Sequence, residues 1–235
     1  MADTMARFND VVMNEGLRQV LRGIQNRCFI SPALAEGTND HTIQVAAATP
    51  FIIDGVFYSK GITDNIAPTV CTVQAALKRC RYLISLNIAG TVTVTKGTEV
   101  GSLSTGALTT LSWNAADKKI MSSTSALGSF KAGDLILVSG FTANENNGIF
   151  SIDAVEKDGA WIRVNEGGAS DEAAGDSVTI LRESPLPECP VKQCPIGLIQ
   201  ITTTTGTFTV GVDDITDDAA GATIAFVNLS GMPLE

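Results

Sequence analysis

The sequence predicts a mainly β protein: a β-sandwich or barrel-like domain, interrupted by a second small β-domain and preceded by an N-terminal amphipathic helix. Three observations carry this. Apolar and polar residues alternate with period two in many short runs, as at Ile43, Val45 and Ala47 against Thr42, Gln44 and Ala46. Turn signals such as Asp54-Gly55 and Asn146-Asn147-Gly148 separate the runs. The strongest helical periodicity is confined to the N-terminal part.

Residues 7–28 are the predicted helix. Phe8, Val11, Val12, Leu17, Val20, Leu21, Ile24 and Cys28 form one apolar stripe, and Arg18 and Arg22 stand one turn apart on another face. Gly16 and Gly23 weaken it, each by about 1 kcal/mol relative to Ala. Asn26 is placed to end it, and Pro32 opposes continuation. A helix of this length is marginal alone, so it must dock on its own sheet or on a neighbour. Residues 1–40 are therefore read as a helical arm.

Residues 41–100 read as β. A strand is predicted over 41–49, a break at Pro50, and a hairpin over 51–58 that turns at Asp54-Gly55. Residues 63–69 (TDNIAPT) read as a loop. Residues 71–80 fit a short helix through Val73, Leu77 and Cys80, or a strand. A second hairpin joins 82–86 to 91–95, with Val92 and Val94 on its inner face.

Residues 101–183 form a separate block. Its first ten residues are a linker or a leading strand. Short strands are expected at 135–138, 149–155, 161–164 and 177–181, which suggests a small barrel or sandwich. The run SPLPECPVKQCP then places four prolines in twelve residues, an extended connector. A hairpin is predicted from 197–203 and 207–212, and a last strand at 223–229. The economical arrangement is a discontinuous β-domain of residues 41–100 and 184–235 with residues 101–183 inserted. Such insertions are tolerated because loop-closure entropy grows slowly with length.

Composition narrows the function. Of 235 residues only 17% are charged, 44% are hydrophobic and 6% aromatic, and there is one His. Disordered chains are far more polar, and no run approaches the ~20 apolar residues of a membrane span. The formal net charge of -9 argues against nucleic acid as a partner. The first 100 residues hold nine Lys/Arg and eight Asp/Glu, residues 101–183 six and eleven, and the last 52 one and six. The acidity is thus confined to the middle block and the C-terminal part. The N-terminus has no apolar signal-peptide core, which implies cytoplasmic synthesis.

Residues arranged for catalysis or ligand binding are sparse. His41 reads as an exposed loop residue, and Gly97–Gly106 lacks the ending of a phosphate-binding loop. Asp213, Asp214, Asp217 and Asp218 read as a solvated turn in preference to a calcium site, whose EF-hand spacing they lack, and Glu166, Asp171, Glu172 and Asp176 read as a loop in preference to a paired-carboxylate hydrolase centre. Neither enzymatic activity nor a cofactor or metal is expected. Lys78, Arg79 and Arg81 form the tightest basic cluster, either a solvated face or, with Arg18 and Arg22, a contact for an acidic partner. The five cysteines, Cys28, Cys71, Cys80, Cys189 and Cys194, read either as buried thiols or as later disulfides. Cys189 and Cys194 could close a small loop or reach another subunit, and Cys28 could pair between chains.

The stretch FKAGDLILVSGFTANENNGIFSIDAVEKDGAWIRVNEGGASDEAAGDSVTIL resembles a β-module of tailed-bacteriophage virion proteins. PFIIDGVFYSKGITDNIAPT, LISLNIAGTVTVTKGTE and LPECPVKQCPIGLIQITTT are similar to phage structural proteins encoded among head genes. The resemblance covers about two thirds of the chain and brings no active site with it. It implies a virion structural protein of the capsid surface, a head decoration (cement) protein bound to the major capsid protein lattice; closed symmetry, the default for such assemblies, makes it a homotrimer, and the charge split turns the acidic insert toward solvent. Alternatives are a tail or neck component, or a carbohydrate-binding or adhesin module. Cys189 and Cys194 depart from the family pattern and suggest cross-linking in the particle.

Overall fold

A computed structural model describes residues 26–165, 170–215 and 223–229. The chain is mainly β. In order, the strands are β1 (Arg27–Cys28), β2 (Leu34–Glu36), β3 (Ile43–Val45), β4 (Thr49–Ile53), β5 (Val56–Lys60), β6 (Thr63–Ile66), β7 (Lys78–Leu86), β8 (Val92–Lys96), β9 (Val100–Gly101), β10 (Leu111–Asn114), β11 (Lys119–Ser122), β12 (Leu135–Ser139), β13 (Gly148–Val155), β14 (Trp161–Val164), β15 (Thr179–Glu183), β16 (Cys194–Thr202) and β17 (Thr223–Asn228). Among the described residues the only helical turn is a 3-10 turn at Asn144–Asn146.

Two hydrophobic cores organise these strands. The first lies between the β17-β16-β7-β8 sheet and the smaller β1-β4-β5 and β2-β3-β6 sheets. Cys80, Tyr82, Ile84 and Leu86 of β7 point into it beside Ile199 and Ile201 of β16, with Phe51 and Ile53 of β4 opposite. Alternation sends Arg79, Arg81, Leu83 and Ser85 to the other face of β7. That face is covered too, so β7 and β16 are buried almost throughout. Gln193 Oε1 accepts the Ser85 and Thr93 hydroxyls there. A Cβ on Gly97 would lie 3.1 Å from Pro187, so the proline-rich connector packs closely on this side.

The second core belongs to the antiparallel sheet β10-β11-β14-β13-β12-β15. Trp113 sits at its centre, edge-on to Phe141 at 5.9 Å and tilted against Phe150 at 5.3 Å. Isolated bridges Leu108–Val178 and Trp113–Glu172 join the two edges, so the sheet curls toward closure.

Two of the three predicted hairpins form. Asp54 (φ 50) and Gly55 (φ 81) take left-handed conformations and set Ile53 opposite Val56, the two-residue turn that matches strand twist. The β7–β8 hairpin pairs Leu86 with Val92, and Asn87 Oδ1 accepts the Ala89 and Thr91 N–H groups in the turn.

Several expectations need correction. The predicted helix falls largely on residues outside those described, but its last residues, Arg27–Cys28, are extended and pair with Ile52 and Phe51. Cys28 is buried against the first core, a burial that a strand of period two delivers as well as a helix. Leu34–Glu36, also assigned to the helical arm, is a strand paired with β3. Pro50 lies inside β4, at the point where β1 stops, so its missing N–H breaks no ladder bond. Thr63–Ile66, read as loop, pairs with β3. Of the two readings of residues 71–80, the strand is the one found, from Lys78 onward in β7, and no helix forms there. Gln74 is buried, bridges Phe208, and binds Tyr82 Oη, Lys78 O and Ile201 O. Residues 207–212 form no hairpin with β16, whose edges are taken by β7 and β17. Instead Asp213 Oδ2 accepts the Thr209 N–H in a tight turn.

Candidate interaction surfaces

The exposed apolar side chains are unevenly distributed. Of fourteen large hydrophobic residues exposed among the described residues, only Met121 and Ile149 belong to residues 101–183. The other twelve lie on the low-charge flanking segments. Their densest group is on the β1-β4-β5 sheet. Cross-strand register places Arg27, Ile52 and Phe57 side by side on its outer face, with Ile52 itself buried, while Cys28, Phe51 and Tyr58 fill the inner one. Phe29 continues the outer face. Its ring stacks on Phe57 at 5.7 Å, and the Arg27 guanidinium lies 5.4 Å over it. Phe57 is 71% exposed, and its chain neighbour Val56 and Phe29's chain neighbour Ile30 are exposed as well. This patch was missed from the sequence. Its signal was there in the hairpin, where Phe51-Ile52-Ile53 and Val56-Phe57-Tyr58 are apolar on both faces.

The basic cluster has a different place. Arg79 and Arg81 do not form a free basic face, because their acidic partner is Glu183 of the same chain. Arg79 Nε and Nη2 donate to the two Glu183 oxygens at 2.9 and 2.8 Å, and Arg81 Nε lies 3.1 Å from Oε1. Arg79 also donates to Thr202 Oγ1, and Glu183 accepts the Ser184 N–H. Burial alone would push the Glu183 carboxyl up. The Arg79 hydrogen bonds and the two guanidinium charges outweigh it and hold the group below the usual carboxylate range. Burial pulls the Arg81 guanidinium down, Glu183 opposes this, and the group stays charged. Lys78 is half-buried at the start of β7. Arg18 and Arg22 lie outside the described residues.

The middle-block acids are loop fasteners. Glu172 Oε1 and Asp176 Oδ2 both accept the Thr142 N–H, at 2.6 and 2.9 Å, and Glu172 Oε2 accepts Asn146 Nδ2 at 2.8 Å. The Glu172 hydrogen bond, followed by those from Thr142, holds the Asp176 carboxyl low. Asp171 accepts the Ala115 N–H. Asp213 caps its own turn, and Glu166, Asp217 and Asp218 lie outside the described residues. His41 is exposed in a turn with φ 55. Among the described residues no group of three or more His, Cys, Asp or Glu is arranged to hold a metal ion, and no helix is long and apolar enough to cross a membrane.

All five cysteines are free thiols. The Cys189–Cys194 loop considered from the sequence is not closed: Cys189 Sγ turns to Gln193 O and Cys194 Sγ to Pro195 O, both at 3.6 Å. Cys28, Cys80 and Cys194 are buried, and burial pushes Cys28, Cys80 and Cys189 up to about 11.

No protein-family profile matches the chain, and no curated protein is significantly similar to it.

Proposed function

We propose that this chain is a virion structural protein, a capsid decoration protein that assembles as a homotrimer on the major capsid protein lattice. The observation that carries the reading is the separation of surface character. Exposed apolar side chains lie on the low-charge flanking segments, and the middle block exposes little apolar surface while holding six Lys/Arg against eleven Asp/Glu. Contiguous exposed apolar surface marks sites of association. An acidic block with its own core suits a part that faces water. On this reading the flanking segments bind the shell and add stability by mass action, while residues 101–183 project outward.

Copy number tests it. Purified particles are analysed by quantitative mass spectrometry against the major shell protein. Lattice-wide symmetric binding gives copies on the order of hundreds. About a dozen or fewer would refute decoration in favour of a tail or neck position.

A further inference from the structure

The Asn87–Gly90 turn and the Pro190–Gln193 turn stand side by side, because Leu86 pairs with both Val92 and Cys194. This is the end of β7 away from the middle block. Arg79, which holds Glu183, lies seven residues before Leu86, about 23 Å at ~3.3 Å per strand residue. Building on the virion reading, we propose that this end of the chain is the part that enters the shell, and that its partner is an apolar recess of the shell protein rimmed by carboxylates.

Three features point to that partner. First, each turn projects an aliphatic side chain that the fold does not use. Val191 is 88% exposed, the highest value among the exposed large hydrophobic residues described, and Ile88 is 59% exposed. Turns favour Gly, Pro, Asn, Asp and Ser for their backbone geometry, and neither Ile88 nor Val191 belongs to either core. Lys60 Cδ lies 3.7 Å from where a Gly90 Cβ would be, so the β5–β6 connection adjoins this end and brings exposed Ile62 to it. Second, both turns are fastened from within. Asn87 Oδ1 accepts the Ala89 and Thr91 N–H groups, and Gly90 donates its N–H to Asn87 O. Gln193 donates its N–H to Pro190 O, and its Oε1 accepts the Ser85 hydroxyl of β7 and the Thr93 hydroxyl of β8. Side chains carried on an ordered backbone lose less entropy on binding. Third, the charge is reversed here. Residues 60–62, 87–90 and 190–193 hold Lys60 and Lys192 and no acid, in a chain of net charge -9. Aliphatic side chains flanked by lysines fit an apolar recess with an acidic rim, and the opposed charges steer approach. The same orientation keeps the acidic middle block, held at the other end of β7, far from that rim.

Rebinding tests it. Particles assembled without the chain are mixed with the purified full-length protein, and the bound fraction is measured after sedimentation. Ile88→Asp combined with Val191→Asp should weaken binding about tenfold or more, with the melting temperature and oligomeric state of the free protein unchanged. Ile88→Ser with Val191→Ser gives the same reading if the Asp pair does not fold. Leu77→Asp changes a comparably exposed residue at the other end of β7, and it should bind as the unaltered chain does. Lys60→Glu with Lys192→Glu should weaken binding about threefold or more at low salt and less at high salt; unchanged binding there overturns the acidic rim. Full binding by both Ile88/Val191 pairs, or an equal loss in Leu77→Asp, overturns the proposal and leaves the virion reading standing. So does a loss of self-association in those pairs, which would make a second copy the occupant. Failure of the unaltered chain to bind overturns both.

Discussion

Glu183→Gln is the sharpest perturbation of this fold. The carboxylate sits between two guanidiniums with side-chain exposures of 12% for Arg79, 4% for Arg81 and 0% for Glu183. Gln keeps the volume but removes the charge that offsets two buried cations. Breaking such a group from one side costs about 3–5 kcal/mol, because the remaining charges stay buried without compensation. For a chain of this size that is a fall in melting temperature of roughly 6–20 °C. Urea unfolding followed by fluorescence gives the free energy directly. Replacing the whole cluster (Arg79→Met, Arg81→Met and Glu183→Leu together) should recover most of the loss, since apolar side chains of similar volume substitute well for buried ion groups. The pH dependence follows the same logic. The Glu183 carboxyl is held below its ordinary value in the folded chain, so its stabilisation is complete above the unfolded value of about 4.3 and disappears as pH falls below that. The Gln variant should lose this acid-sensitive component. A cost under about 1 kcal/mol, or an unchanged acid limb, would refute the assignment of this cluster as the buried charge junction.

Three further outcomes are expected. Gly140→Ala should destabilise the second core by about 2–4 kcal/mol, because Gly140 has φ 107 and a Cβ there would lie 2.1 Å from Ser177 O; an unshifted unfolding transition in the fluorescence of Trp113 and Trp161, both in this block, would contradict this. Replacing Asp54-Gly55 by Ala-Ala should cost about 1–2 kcal/mol per left-handed residue, read as a lowered urea midpoint, and a neutral result would show that the turn does not set the β4–β5 register. None of the five thiols should react with a disulfide reagent at pH 7 as fast as free cysteine, and stability should decline as pH rises from the unfolded thiol value of about 8.5 toward the folded values of about 11 for Cys28, Cys80 and Cys189. Rapid labelling of the native chain would count against their burial.

The legible parts of this fold were those whose cause is local. Asp54-Gly55 and the Asn87–Gly90 turn announce their hairpins because turn geometry is fixed by a few adjacent residues. Val92 and Val94 announce the buried face of β8 by alternation alone. Strand β6 was illegible because TDNI is polar and its pairing with β3 is decided by the partner. The 207–212 segment carries the right residues for a strand, but both edges of β16 were already occupied, by β7 more than a hundred residues earlier in the chain and by β17. The basic cluster failed for the same reason. Arg79 and Glu183 are 104 positions apart, and nothing in either neighbourhood marks Glu183 as different from the other acids of its block. Local reading finds charge, and only the fold says which charges meet.

The junction also explains how residues 101–183 are accommodated. The chain enters and leaves this block side by side: Ser104 bridges Leu181, Leu108 bridges Val178, and Arg182 donates its N–H to Leu103 O. Because the two ends are already paired, the flanking sheet needs only one narrow opening, and the closure cost does not scale with the length of the block. Arg79 and Arg81 on β7 then grip Glu183 at the last position of β15. A paired stem with buried charges at its base resists bending in a way that a Gly/Ser linker does not. This matters for the proposed role, since a block meant to stand away from a shell in a fixed direction needs a rigid base. It also gives Glu183→Gln a second readout: a variant that keeps both cores but loosens the stem should show faster hydrogen exchange at residues 102–108 and 178–184 before either core unfolds. Unchanged exchange in those two segments would mean that strand pairing, and not the buried charge, holds the block in place.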